Sequence, residues 1–203
     1  MKLRTDLQLI SEWIRPGAHV LDLGCGDGTL LAHLRDHSQV TGYGLEIDDA
    51  NIVRCIEAGI NVIHRDLDEG LSDFADHSFD YVIVTQTLQA IRYPDRLLKE
   101  MLRIGDEGIV TFPNFGHWRC RLQLLMEGRM PIPQALPHEW YESESIHLCT
   151  LRDFEMLCEK SAIEILQRTV VDRTHRSRIR TRLSPNLFGE IALYRLQSRK
   201  HAV

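Results

Sequence analysis

The 203-residue chain contains no apolar run approaching the ~20 residues that a membrane span needs. Its N-terminus also lacks the apolar core of a signal peptide. Both absences lead to the expectation of a cytoplasmic protein that neither enters nor crosses a membrane. Nor is there a surplus of cations: 24 Lys and Arg against 29 Asp and Glu leave a net charge of −5, which argues against a general nucleic-acid binder. Cysteine is scarce and unpaired in pattern. Cys25, Cys55, Cys120, Cys149 and Cys158 are an odd number with no close pair in sequence, which favours free thiols over a disulfide or zinc framework. There are no internal repeats and no low-complexity segments. What remains, 43% hydrophobic and 26% charged, is the make-up of a single globular domain over 1–203.

The most informative stretch is His19-Val-Leu-Asp-Leu-Gly-Cys-Gly-Asp-Gly-Thr29. Val20 to Leu23 reads as a short buried strand, turning through Gly24, Gly26 and Gly28 into a helix near Thr29. Glycines at alternate positions permit backbone conformations that a Cβ forbids and let a ligand approach the main chain. The free amides at the start of the next helix face the same space. Asp22, just before the turn, places a carboxylate there that suits a cation, such as a sulfonium nucleotide carrying an ammonium group. A dinucleotide fingerprint would read Gly-x-Gly-x-x-Gly, and here the third glycine comes one residue too early, with Thr29 in its place. Asp-x-Gly-x-Gly-x-Gly instead resembles the first motif of class I S-adenosylmethionine (SAM) methyltransferases.

Along the chain, Leu3, Leu7, Ile10 and Ile14 recur at helical spacing, predicting a helix over 5–14. Strands are expected at Val20–Leu23, Val40–Ile47, Asn61–Arg65, Phe79–Thr85, Gly108–Phe112, Ile163–Val171 and Leu187–Leu196. Helices are expected over 29–37, 49–58, 94–104, 115–127 and from a Thr150 cap to Lys160. The almost uniformly apolar Phe79–Thr85 suits a central parallel strand covered on both faces. This alternation gives an α/β fold with a doubly wound, seven-stranded, mostly parallel sheet. The last two strands lack an intervening helix and are expected to close the sheet as an antiparallel hairpin. Residues 113–149, rich in proline, histidine and aromatics beyond Gly128, form an expected lid or interface segment.

Ligands bind at the carboxyl ends of strands in such sheets. Glu46, ending the second strand, can take both ribose hydroxyls of a nucleoside. Asp66 ends the third strand, where the resemblance to class I methyltransferases implies an acid near the adenine amino group, with the amide of Leu67 nearby; Asp68 competes for that role. Gln86 or Leu88, within Thr85-Gln-Thr-Leu-Gln89, lines the cavity mouth. Pro113 to Trp118 brings an amide and aromatics to the same edge. The expected cofactor contacts are Asp22, Gly24, Cys25, Gly26, Glu46, Ile47, Asp66, Leu67 and Gln86, with SAM or S-adenosylhomocysteine as the ligand. Methyl transfer from a sulfonium is promoted mainly by in-line positioning. His117, His138, His147 and Tyr141 are candidate proton acceptors, but none carries a signature that makes it catalytic. The Asn-Pro-Pro-Tyr sequence of amide and base N-methyltransferases is absent. His33 and His37, four apart, have no third metal ligand. Arg168 and the arginines between 173 and 182 read as a solvated basic loop.

Across residues 3–197 the motifs resemble more than a superfamily. Val20-Leu-Asp-Leu-Gly-Cys-Gly-Asp-Gly28, Gly42-Tyr-Gly-Leu-Glu-Ile-Asp48, Arg65-Asp-Leu-Asp-Glu-Gly-Leu71, Phe112-Pro-Asn-Phe-Gly116, Gly128-Arg-Met-Pro131 and Asn186-Leu-Phe-Gly-Glu-Ile-Ala192 are together similar to the MetW family of methionine biosynthesis. That resemblance implies a class I methyltransferase fold, SAM binding, and support of a homoserine O-acyltransferase partner. It supplies no methyl acceptor. Two functions are therefore expected in competition: a SAM-binding accessory protein docking on the acyltransferase, or an active methyltransferase acting on a small molecule.

Overall fold

The computed structural model describes residues 3–132, 147–171 and 183–199. The chain runs α1 (Thr5–Trp13), β1 (His19–Leu23), α2 (Thr29–Ser38), β2 (Thr41–Glu46), α3 (Asp49–Glu57), β3 (Val62–His64), β4 (Phe79–Thr85), α4 (Pro94–Ile104), β5 (Gly105–Pro113), α5 (Trp118–Glu127), α6 (Leu151–Lys160), β6 (Ile163–Val171), α7 (Pro185–Phe188) and β7 (Ile191–Ser198). Single 3-10 turns at Leu67–Glu69 and Leu88–Ala90 follow β3 and β4.

The seven strands form one sheet in the order β3-β2-β1-β4-β5-β7-β6. Strands β1 to β5 pair in parallel, and β7 runs antiparallel between β5 and β6. The expected mixed sheet with its antiparallel closing hairpin is what the chain adopts. From β1 the chain winds outward to β3, then returns to β4 on the other side of β1. The crevice at the carboxyl ends of β1 and β4 is therefore the switch point where such sheets bind ligands.

Period-two alternation sorts the core into two layers. Leu21, Leu23, Val82 and Val84 pack with Leu98 and Met101 of α4 and Phe154 of α6. Val20, Tyr81 and Ile83 point the other way, to Leu7 and Ile10 of α1 and Leu30, Leu31 and Leu34 of α2. Helix α6 begins with a full capping box: the Thr150 hydroxyl accepts from the Asp153 amide while Asp153 accepts from the Thr150 amide.

Three elements start three or more residues away from expectation. Strand β5 starts at Gly105 rather than Gly108, because Glu107 is matched by Arg195 on β7, so a charged residue belongs to the ladder. Strand β7 starts at Ile191 rather than Leu187: Pro185–Phe188 coils into a helical turn whose Asn186 and Gly189 carbonyls accept from Asn114. Helix α5 starts at Trp118 rather than 115, since Asn114 Oδ1 takes the Gly116 amide and holds a turn there. Within the expected lid, residues 133–146, with His138, Trp140 and Tyr141, lie outside the described residues; so do residues 172–182 of the basic run. Arg168 pairs with Glu155 at 2.7 Å. Among the described residues no helix is long and apolar enough to cross a membrane.

Candidate functional site

The turn after β1 is held from three directions before any ligand arrives. The amides of Gly24 and Cys25 both donate to the Leu45 carbonyl of β2, at 2.8 and 3.0 Å. The Gly26 amide donates to Glu46 Oε2 at 2.7 Å, and the Cys55 thiol of α3 donates to the Gly26 carbonyl at 3.2 Å. Gly24, Gly26 and Gly28 all adopt positive φ, between 56° and 74°, which a side chain would strain. Their surroundings differ. A Cβ on Gly24 would stand 2.6 Å from Thr87 Oγ1, whereas a Cβ on Gly26 would meet nothing within 4 Å. Gly26 therefore presents bare backbone to open space, as close approach of a ligand requires.

Asp22, 1% exposed, lies at the end of β1 beside that turn. Its Oδ1 is buried and has no hydrogen-bond partner. Burial, with a smaller contribution from the neighbouring Glu46 carboxylate, pushes its pKa from 3.8 up to about 7. A buried carboxylate without a donor is a costly arrangement that a ligand cation or hydrogen-bond donor would relieve. Glu46 is organised in the opposite manner. Besides Gly26, its carboxylate accepts from the amides of Ile47 and Asp48, at 2.9 and 3.0 Å. Oε1 already accepts two of these bonds and Oε2 only one, so the group is aimed and fixed while Oε2 keeps capacity for a hydroxyl.

At the end of β3, Asp66 and Asp68 part ways. Asp68 Oδ1 accepts the Arg92 amide at 2.9 Å and is tied to the loop before α4. Asp66 caps the 3-10 turn through the Asp68 amide and stays exposed, with Leu67 buried next to it. Ile47 projects at 57% exposure, an apolar side chain at the rim of the crevice. Gln86 is the sequence-predicted residue whose placement differs most. It has a left-handed φ of 52°, and its side-chain amide donates to Asp6 of α1 at 3.2 Å, so it ties α1 to the site. Leu88, the other mouth candidate, is buried in the core.

The other candidates have structural partners. His117 is buried, caps α5 by accepting the Arg119 amide, and approaches Glu190. His147 bonds the carbonyls of Gln89 and Arg92 through its amide and Nε2. Asn114 holds the Pro185–Gly189 turn through its side-chain nitrogen and the Gly116 amide through its oxygen. His33 and His37 stack on one another in solvent, and no metal-binding cluster exists among the described residues. The five cysteines are free thiols, although Cys25 and Cys55, thirty residues apart, sit with sulfurs 3.8 Å apart beneath Gly26.

One residue at the site escaped sequence reasoning. Asp6 is fully buried, held by Arg4 through two hydrogen bonds and by Gln86. The signal was present: Asp6 stands four residues before Ile10 and eight before Ile14, on the apolar face of α1.

Comparison with known proteins gives a consistent result. A family model described as methionine biosynthesis protein MetW matches residues 4–196. The bifunctional methionine biosynthesis protein MetXA/MetW of Rhodopirellula baltica is 36% identical over 200 residues, covering 94% of this chain and 32% of that protein. The chain thus spans about a third of that relative's length. Among solved structures, an S-adenosylmethionine dependent methyltransferase from Mesorhizobium loti superposes with a TM-score of 0.71 at 15% identity, covering 95% of this chain and 97% of that one. The [4+2]-cyclase SpnF superposes with a TM-score of 0.66 at 16% identity, covering 95% and 80%. A cyclase on this fold is a reminder that the architecture alone does not dictate methyl transfer.

Proposed function

Because the chain belongs to the MetW family of methionine biosynthesis proteins, we propose that it binds SAM or S-adenosylhomocysteine at the Gly24–Gly28 turn and supports a homoserine O-acyltransferase by docking on it. The observation that carries the cofactor reading is the orphaned, buried Asp22 oxygen beside the open backbone of Gly26. Asp22 would face the cationic methionine end, Gly24, Cys25 and Gly26 would lie along the ligand, and Glu46 would hold the ribose hydroxyls. Ile47, Asp66 and Leu67 would bound the base, and Gln86 would close the mouth through its backbone. When bound, SAM supplies an electrophilic methyl group on a sulfonium. The residues named here bind and orient; none of them is placed to move a proton. Calorimetry with the purified chain tests this part: saturable SAM binding is expected, and its absence would overturn the reading.

The docking part draws support from two independent observations. In the Rhodopirellula baltica relative, a MetXA part and a MetW part share one polypeptide, an arrangement that keeps two partners at high effective concentration. In this chain, α5 buries only Cys120, while Trp118, Leu122, Leu125 and Met126 share one exposed helix face. Leu125 is 81% and Met126 75% exposed, and Met130 and Ile132 extend the apolar surface. A patch of this kind marks an interaction site. Assaying the acyltransferase with and without the chain tests the role: higher activity with it is expected. An acyltransferase indifferent to the addition, together with SAM-dependent methylation of a small metabolite, would favour the competing methyltransferase reading.

A further inference from the structure

We propose that a cavity between the Leu88–Ala90 turn and α6, separate from the glycine turn, binds a small, mainly apolar organic molecule that donates one hydrogen bond to Gln89. The cavity holds about 220 Å³ and opens at the carboxyl ends of β4 and β5. Its walls are mainly Leu88, Phe112, Phe154 and Leu157, with Cys149 and Gln89 among them.

The polar inventory of this space is short. Asp153 is committed to the amide and hydroxyl of Thr150, and His147 to backbone carbonyls at the rim. The Cys149 thiol is held protonated, its pKa pushed up to about 12 by burial. Gln89 is different. Its Nε2 donates to the Gln86 carbonyl at 2.5 Å, which fixes the orientation of the amide, because the reversed amide would set two oxygens against each other. The same bond leaves Oε1 buried with no partner. A buried, unpartnered acceptor on a residue that lines an apolar cavity would be satisfied by an occupant carrying an N–H or O–H. The volume lies below the ~300–1,000 Å³ of pockets for drug-sized ligands, so it suits a single ring or a short branched chain.

The position is also a functional one. Thr87, packed against Gly24, and Gln89, lining the cavity, belong to the same short turn, so the two spaces share a wall. The occupant would sit next to the proposed cofactor turn without using any of its residues.

The test uses the purified chain without SAM, so its outcome is independent of the cofactor reading. Binding of para-fluorophenol and of para-fluorotoluene, which has nearly the same shape but no donor, is followed by fluorine NMR. Saturable binding of the phenol is expected, on the order of tenfold tighter than the toluene, as one hydrogen bond to an otherwise unsatisfied acceptor allows. In Gln89→Leu that preference should vanish while the toluene still binds. In Leu157→Trp, which fills the space, both probes should be lost. Thermal melts followed by circular dichroism confirm that each variant folds. If Gln89→Leu does not fold, the wild-type comparison and Leu157→Trp still decide the matter. No saturable binding of either probe, equal affinities in the wild type, or unchanged binding in Leu157→Trp would overturn the proposal.

Discussion

Replacing Asp22 by asparagine should make the free protein more stable at alkaline pH while weakening its hold on SAM. The two side chains are almost isosteric, and Asp22 is 1% exposed and without a partner at Oδ1, so the main change is loss of a charge. In the unfolded chain Asp22 has the ordinary pKa of 3.8; in the folded one it is pushed up to about 7, mostly by burial. Between these values the folded state holds a proton that the unfolded state has released, so stability falls as pH rises through this window. Below it the burial cost is absent, and above about 7 the full cost is present. At ~1.4 kcal/mol per pH unit the gap has a ceiling of roughly 4 kcal/mol; relaxation around the charge brings the expected gain to ~1–3 kcal/mol. The amide of the Asp22→Asn variant cannot ionise and loses this slope, and any cost of burying it is the same at every pH. Urea unfolding at pH 5 and pH 8 isolates the effect: the variant should gain on the wild type at the higher pH, and calorimetry should show SAM binding weakened about 10–100-fold. A wild-type-to-variant difference identical at both pH values, or unchanged SAM affinity, would refute the reasoning.

Two glycine substitutions should separate fold from site. Gly26→Ala adds a methyl to open space at positive φ, so it should cost only ~1 kcal/mol of stability yet block SAM, whereas Gly44→Ala drives a Cβ to 2.3 Å from Cys25 Sγ and should destabilise by more than ~2 kcal/mol; chemical denaturation and calorimetry read both. The double substitution Leu125→Lys with Met126→Lys, at positions 81% and 75% exposed, should leave the melting temperature nearly unchanged but abolish acyltransferase association in a pull-down. Glu46→Ala removes an acceptor that holds three amides, so SAM affinity should fall by roughly 10–100-fold and the turn should exchange its amide hydrogens faster. Cys25 and Cys55, both held protonated by burial, should react with a thiol reagent such as DTNB only after unfolding.

What could be read from the sequence was what is local. The strand Val20–Leu23, the glycine turn and the acid closing β2 are each a few residues of uninterrupted pattern, and the mostly parallel sheet with its antiparallel closing hairpin followed from the alternation of elements. Less was visible where function depends on residues distant in sequence. Gln86 was placed correctly at the carboxyl end of β4, but its side chain is taken by Asp6, 80 residues earlier. Asn114 had the look of a ligand-facing amide, yet its side-chain nitrogen donates twice to a turn more than 70 residues away and its oxygen takes the local Gly116 amide. Helix α5 was predicted, but not that nearly all of its apolar residues face outward. Amphipathic spacing shows which residues share a face; it does not show whether that face meets the chain's own core or another protein.

The turn from Gln86 to Gln89 is where these separate observations meet. Gln86 accepts a left-handed conformation that a side chain disfavours by ~1–2 kcal/mol, and a network of bonds holds it there. Its amide donates to Thr111 of β5, its side chain to Asp6 of α1, and its carbonyl receives Gln89. Next to that strained residue, Thr87 packs against Gly24, and Gln89, which lines the second cavity, keeps one buried oxygen without a partner. A shift in the glycine turn therefore meets Thr87 first, and through it the wall of the second cavity. In a protein proposed to bind SAM and to support a partner enzyme, this turn is a wall common to both cavities.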